Sequence, residues 1–242
     1  VSYVSAHPGL AITPRSAGTD MTGAAVGESI VMDTTRHMNQ VIDIARDVSL
    51  AGQQGMVTVQ PGMFYRDLEL KTLNRGLQYP VYPASRELCA VGGIVSNNAG
   101  GEKSHTYGQA VQWVRSLRAV LADGHEYDLG PLDRAGLDAK MQQDDFEGQV
   151  YRNVYGLINA NRDEIVAMQP KVSKNSSGYQ LWYVWDGTTF NLAKLLCGAQ
   201  GTLGIVTQAT LGLMQPKKHK QMIVFFLRDI EPIARVVADL LK

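Results

Sequence analysis

The run Pro14-Arg15-Ser16-Ala17-Gly18-Thr19-Asp20-Met21-Thr22-Gly23 stands between two apolar segments, residues 10–13 and 29–33, that read as strands. Small residues let successive backbone N–H groups converge without a Cβ in the way, and converging N–H groups bind an anion such as a pyrophosphate. The Ser and Thr hydroxyls add donors. A wide turn has a similar composition, so this loop decides nothing by itself. The second loop adds weight: Pro83-Ala84-Ser85 leads to Gly92-Gly93, and Asn97-Asn98-Ala99-Gly100-Gly101 follows. Each glycine loses conformational entropy on folding, and a turn needs fewer of them. Close approach of backbone to a flat ligand would need them. A third stretch, Gly198-Ala199-Gln200-Gly201-Thr202-Leu203-Gly204-Ile205-Val206-Thr207, repeats the theme before a strand.

Other chemistries are disfavoured. No GxGxxG follows a strand and opens a helix, and Gly100-Gly101-Glu102-Lys103-Ser104 lacks the Gly-Lys adjacency of a phosphate-binding P-loop. Lys plus Arg and Asp plus Glu are 23 each, without a long run of one sign, which argues against a nucleic-acid or anionic-membrane surface. The expected partner is a small molecule. Cys89 and Cys197 have no CxxC spacing and there is no His cluster, so no metal site is expected and a reducing compartment fits. No basic leader or membrane-length apolar run is present, making the cytoplasm the expected compartment, with membrane association only through parts outside this stretch. His7, His37, His125 and His219 stand singly and read as structural or solvated. His105 and Tyr107 lie beside the second loop and could reach a ligand there. Arg86 could orient a carboxylate or pair with an acid such as Glu87.

These loops need elements to hold them. A helical remnant ending at His7-Pro8-Gly9, strands at residues 10–13, 29–33 and 56–60, and a connecting stretch that includes residues 38–44 are expected. A helix over residues 64–77 follows, entered through Pro61-Gly62 and closed by Gly76. Residues 114–121 and 125–129 read as a hairpin turning at Asp123-Gly124. Residues 131–170 are helix-prone and polar, residues 190–196 helical, and a strand runs to Leu213. Residues 216–220 read as a linker, after which residues 222–227 read as a strand. Ile233, Val236, Val237, Leu240 and Leu241 share a helical face. Both ends read as severed.

The three stretches, in this order, resemble the FAD-binding domain of the vanillyl-alcohol oxidase and p-cresol methylhydroxylase superfamily, nearest to its glycolate oxidase subunit and D-lactate dehydrogenase branch. The family pattern PRGxGTxxxG matches Pro14 to Gly23, PSS…GG…NAGG matches Pro83 to Gly101, and GxEGTLGIVT matches Gly198 to Thr207. Tyr107-Gly108 and the segment from Lys174 to Tyr179 are also similar. The resemblance implies an α+β fold with two lobes about FAD: a small parallel lobe before about Pro61 and a larger mixed-sheet lobe. Together they form an FAD-binding domain over residues 1–215, N-terminally incomplete, with residues 216–242 opening an α/β substrate-binding cap. It implies that Arg15, Ser16, Ala17, Gly18, Thr19, Thr22 and Gly23 hold the pyrophosphate. Pro83, Ser85, Gly92, Gly93, Asn97, Asn98 and Gly100 would line the ring and ribityl chain, with Gly204, Ile205 and Val206 adding backbone contacts. Ser16 and Ala17 depart from the usual glycines, and Gln200 from the usual Glu. Thr19 stands where covalently flavinylated relatives often carry His, implying non-covalent FAD unless His105 or a residue outside this stretch supplies the link. The implied reaction is oxidation of a 2-hydroxy acid of the D-lactate, glycolate or D-2-hydroxyglutarate class, with electrons passed to an acceptor the sequence does not name. No catalytic residue is assigned within this stretch. The rivals are an electron-relaying flavin subunit and an NADPH-dependent flavoenzyme like UDP-N-acetylenolpyruvoylglucosamine reductase.

Overall fold

A computed structural model describes residues 1–219 and 221–240. Strands β1 (Ile12–Arg15) and β2 (Ile30–Asp33) form a two-stranded parallel sheet in which Ile12 faces Ile30 and Arg15 faces Asp33. The first glycine-rich loop is the connection between them. A five-stranded sheet carries the core: β3 (Val41–Ala45), β4 (Gly55–Val59), β5 (Val114–Val120), β6 (Glu126–Leu129) and a late strand at Ile205–Leu213. Between β6 and that strand, β7 (Pro131–Leu132) and β8 (Phe190–Asn191) form a short antiparallel pair, so the late strand is β9. The sheet order is β3-β4-β9-β5-β6, with every neighbouring pair antiparallel.

β9 sits in the centre because both of its edges pair over long registers, with Val57 facing Leu211 on β4 and Leu117 facing Ala209 on β5. Alternation does the rest. Val57 and Val59 of β4 and Ala209, Leu211 and Leu213 of β9 are fully buried, while Met56 and Thr58 are partly exposed. The helix Tyr65–Leu73 places Tyr65, Leu68 and Thr72 in the interior. Farther along, Asp133 and Asp145 cap the helices Arg134–Met141 and Phe146–Ala160 by accepting from Gly136 N and Gly148 N, both at 2.8 Å.

Several expectations change. The small unit ends between Asp33 and Val41 rather than near residue 61, because β3 and β4 pair into the large sheet. That sheet is antiparallel, not mixed. Residues 41–45, expected as connection, form a strand with a register shift between Val41 and Asp43, an interruption that hid its alternation. The second loop contains the short helices Val91–Ser96 and Ser104–Tyr107. Residues 222–227 form no strand: Met222, Ile223, Val224, Phe225, Phe226 and Leu227 are exposed, with no neighbouring strand to pair with. The amphipathic helix Ile233–Leu240 forms as expected, and Leu241 lies outside the described residues. No helix among the described residues is long and apolar enough to cross a membrane.

Candidate cofactor-binding site

A cavity of about 570 Å³ opens where the three glycine-rich stretches meet, within the range of small-molecule and cofactor sites. Of the residues singled out from sequence, Arg15, Ser16, Ala17, Gly18, Thr19, Thr22, Pro83, Ser85, Gly92, Gly93, Asn97, Gly100, Gly204 and Val206 all line it. Gly23, Asn98 and Ile205 do not. Gly23 belongs to the turn that closes on Val26, and Asn98 and Ile205 are buried behind the wall. Asp20, within the first motif, and Lys174, Ser176 and Ser177, within the segment similar to the family, line the cavity although none was assigned as a site residue, and Cys89, Thr34 and Pro61 join it through folding alone.

The first loop is built around Asp20. Its Oδ2 accepts from Thr22 N at 3.1 Å, the Thr22 hydroxyl at 2.7 Å and Ala24 N at 2.9 Å, and its Oδ1 accepts from Asn97 Nδ2 at 2.8 Å. The last of these bonds ties the first loop to the second. Partial burial alone would raise the Asp20 pKa, but the bonds from Thr22, Ala24 and Asn97 outweigh it and hold the carboxyl below its ordinary value. The Ser16 hydroxyl donates to Pro61 O at 2.8 Å. The Ser16 and Thr22 hydroxyl protons, expected to meet a phosphate, are thus used within the protein.

The N–H groups of Ala17, Gly18, Thr19 and Met21 have no partner among the described residues. Arg15 lies beside them: a Cβ on Gly18, whose φ is +68°, would stand 2.5 Å from an Arg15 Nη atom. A cation and a set of unpaired N–H groups therefore share one end of the cavity, an arrangement that binds an anion. The remaining wall holds Pro83, Ala84, Gly92, Gly93, Ile94, Ala99 and Val206, small or apolar surface suited to a flat ring.

The glycines have a different reason than expected. A Cβ on Gly92 would meet Pro61 Cβ at 2.9 Å and Ser16 Oγ at 3.2 Å, and one on Gly204 would meet Val120 O at 2.9 Å. These glycines let the loops close on one another and on the sheet. At Gly93 a Cβ would meet no atom within 4 Å, so the missing side chain there leaves open cavity.

Three further candidates lie elsewhere. His105 is exposed on its short helix, and Tyr107 packs edge-on to Trp113, neither lining the cavity. Arg86 is ion-paired with Glu69, and with Glu87 at 3.2 Å, and it stacks over the Tyr82 ring. Burial pushes the Cys89 thiol up to about 11, so this wall residue stays protonated and is a poor nucleophile near neutral pH.

Comparison with known proteins gives the family. Residues 1–130 match the FAD binding domain family. The chain belongs to that family. FAD is accordingly its cofactor, and the anion end and apolar wall fit the diphosphate and the ring of that molecule. The chain is 30% identical over 221 residues to D-2-hydroxyglutarate dehydrogenase of Pantoea ananatis, covering 90% of this chain and 21% of the relative. It is 26% identical over 231 residues to the glycolate oxidase subunit GlcD of Bacillus subtilis, covering 95% and 37%. It is also 26% identical over 230 residues to D-lactate dehydrogenase of Archaeoglobus fulgidus, covering 94% and 39%. This FAD-binding chain thus spans well under half the length of these relatives. A solved alkyldihydroxyacetonephosphate synthase shares the fold, with a TM-score of 0.54 at 20% identity over 87% of this chain and 30% of that one.

Proposed function

We propose that this chain is the FAD-holding part of a dehydrogenase of 2-hydroxy acids, of the D-2-hydroxyglutarate, D-lactate or glycolate class. The observation that carries the cofactor's place is the group of unpaired N–H groups at Ala17, Gly18, Thr19 and Met21 beside Arg15. The relatives' names supply the substrate class. When bound, FAD would accept a hydride from the hydroxyl-bearing carbon, the step that side chains alone cannot provide. The protein's part is to fix the diphosphate at the first loop, lay the ring along residues 83–100 and 204–206, and keep water from one of its faces. Thr19 offers no imidazole for a bond to the ring, so FAD is held without a covalent link. The architecture is read as the two-lobed p-cresol methylhydroxylase type, with residues 222–240 opening a cap that would bring the base and the carboxylate-binding cation.

The test is to add D-2-hydroxyglutarate, D-lactate and glycolate separately, without oxygen, to the FAD-loaded full-length protein, since residues 1–242 alone carry no assigned base or carboxylate-binding cation and are expected to be inactive. Bleaching of the flavin band by one of them, with all flavin released into the supernatant on acid precipitation, is the expected result. Bleaching by NADPH and by none of the acids would replace this reading with that of an NADPH-dependent reductase.

A further inference from the structure

Lys174, Ser176 and Ser177 reach the cavity from a loop that belongs to none of the three glycine-rich stretches. A buried pair of amides holds that loop in place. Asn98 is fully buried and Gln109 is 5% exposed. Gln109 Nε2 donates to Asn98 O at 2.7 Å and to Ser176 Oγ at 3.2 Å, while its Oε1 accepts from Asn175 N at 2.5 Å. Asn98 Nδ2 donates to Asn175 O at 3.1 Å, and its Oδ1 accepts from Val111 N at 2.9 Å. Asn98 has φ +43°, a left-handed conformation that Asn adopts more readily than most residues. Both side-chain amides are thus satisfied, and the Asn175 peptide is clamped on its N–H and its C=O. That fixes the backbone next to Lys174.

Among the described residues lining the cavity, the charged ones are Arg15, Asp20 and Lys174. Arg15 lies against the first loop, and Asp20 accepts from Thr22 and Ala24 of that loop and from Asn97 of the second. Lys174 makes no hydrogen bond or ion pair with any described residue. An unpaired ammonium carried by a clamped loop, at a site for an anionic cofactor, has an evident counterpart. We infer that Lys174 binds negative charge on FAD, and that Asn98 and Gln109 are positioning residues that present it. This inference rests on the cavity being the FAD site. The charge it meets is either the diphosphate or the reduced ring, and the two are separable.

The experiment measures the dissociation constant for oxidised FAD and the two-electron midpoint potential for the wild type, Lys174→Ala, Lys174→Arg and Ser176→Ala. If Lys174 meets the diphosphate, Lys174→Ala weakens oxidised FAD about tenfold and leaves the potential unchanged, because both redox states lose equally. If it meets the reduced ring, oxidised affinity holds and the potential falls by about 30 mV for each tenfold loss in reduced-state affinity. Lys174→Arg keeps the wild-type values in either case. Ser176→Ala, which loosens the clamp and keeps the lysine, shifts the same quantity by less. Lys174→Ala unchanged in both quantities overturns the inference, and so does Lys174→Arg as impaired as the alanine variant. Ser176→Ala with wild-type values overturns the positioning role. A wild type that takes up no FAD overturns the reading of the cavity, and this inference with it.

Discussion

Gly93 and Gly23 separate two ways in which a glycine can matter. Gly93 lines the cavity with open space where a Cβ would stand, so Gly93→Val puts a side chain where FAD is proposed to lie. FAD affinity should fall at least tenfold, with the urea midpoint of the apoprotein unchanged; equal affinity in a titration would contradict the assignment. Gly23 is away from the wall and has φ +87°. Gly23→Val should cost about 1–3 kcal/mol in backbone strain, seen as a lower urea midpoint, with any loss of FAD arising through the loop alone. Asp20 gives a third test. Its folded pKa lies below the ordinary 3.8, so its stabilising effect is complete above that value and is lost as pH falls through the folded pKa. Melting temperatures between pH 5 and 2 should therefore fall less steeply in Asp20→Asn than in wild type, and parallel curves would remove Asp20 as the keystone of the loop. Residue types made the loops legible: Pro14, Gly18 and the Gly92-Gly93 pair stood out by composition. What composition hid is where each hydrogen goes. Nothing in the sequence tells that Ser16 bonds Pro61 O or that Asn98 turns inward, because those partners lie 45 and 77 residues away.

Strands were legible where alternation was clean. Residues 56–60 and 114–121 show it, and both segments form strands as β4 and β5. Their partners were not legible. Alternation says that a segment has a buried face, but not which edge it joins, and so β4 was assigned to the small unit although it pairs with β9. The apolar run at residues 222–227 shows the converse, since a strand-like composition forms no strand without a neighbour to bond with. This difference has a measurable consequence. Leu211 on the central strand is fully buried, and Leu211→Ala should destabilise by about 2–5 kcal/mol in urea unfolding. Phe226 is 94% exposed, and Phe226→Ser should stay within about 0.5 kcal/mol. Comparable losses at both positions would mean that residues 222–227 pack on the FAD-binding unit.

Taken as a whole, the molecule places the cavity proposed to hold FAD at the junction between a two-stranded parallel sheet and a five-stranded antiparallel one. β1 and β2 deliver the first loop, the helix Val91–Ser96 and its flanks supply the second, and the approach to β9 supplies the third. Because the loops close on each other through Gly92 and Gly201, and through the Asp20–Asn97 bond, much of the cavity's shape is set by protein contacts alone. A preorganised site of this kind loses little further freedom on binding. The resemblance read from the three motifs had already pointed to FAD, because their order and spacing are more specific than any one of them. The most direct test is a crystal structure of the protein grown with FAD. The diphosphate oxygens should accept from the N–H groups of Ala17, Gly18 and Thr19, with the Arg15 guanidinium alongside. A diphosphate bound elsewhere, with those N–H groups turned to solvent, would contradict the account.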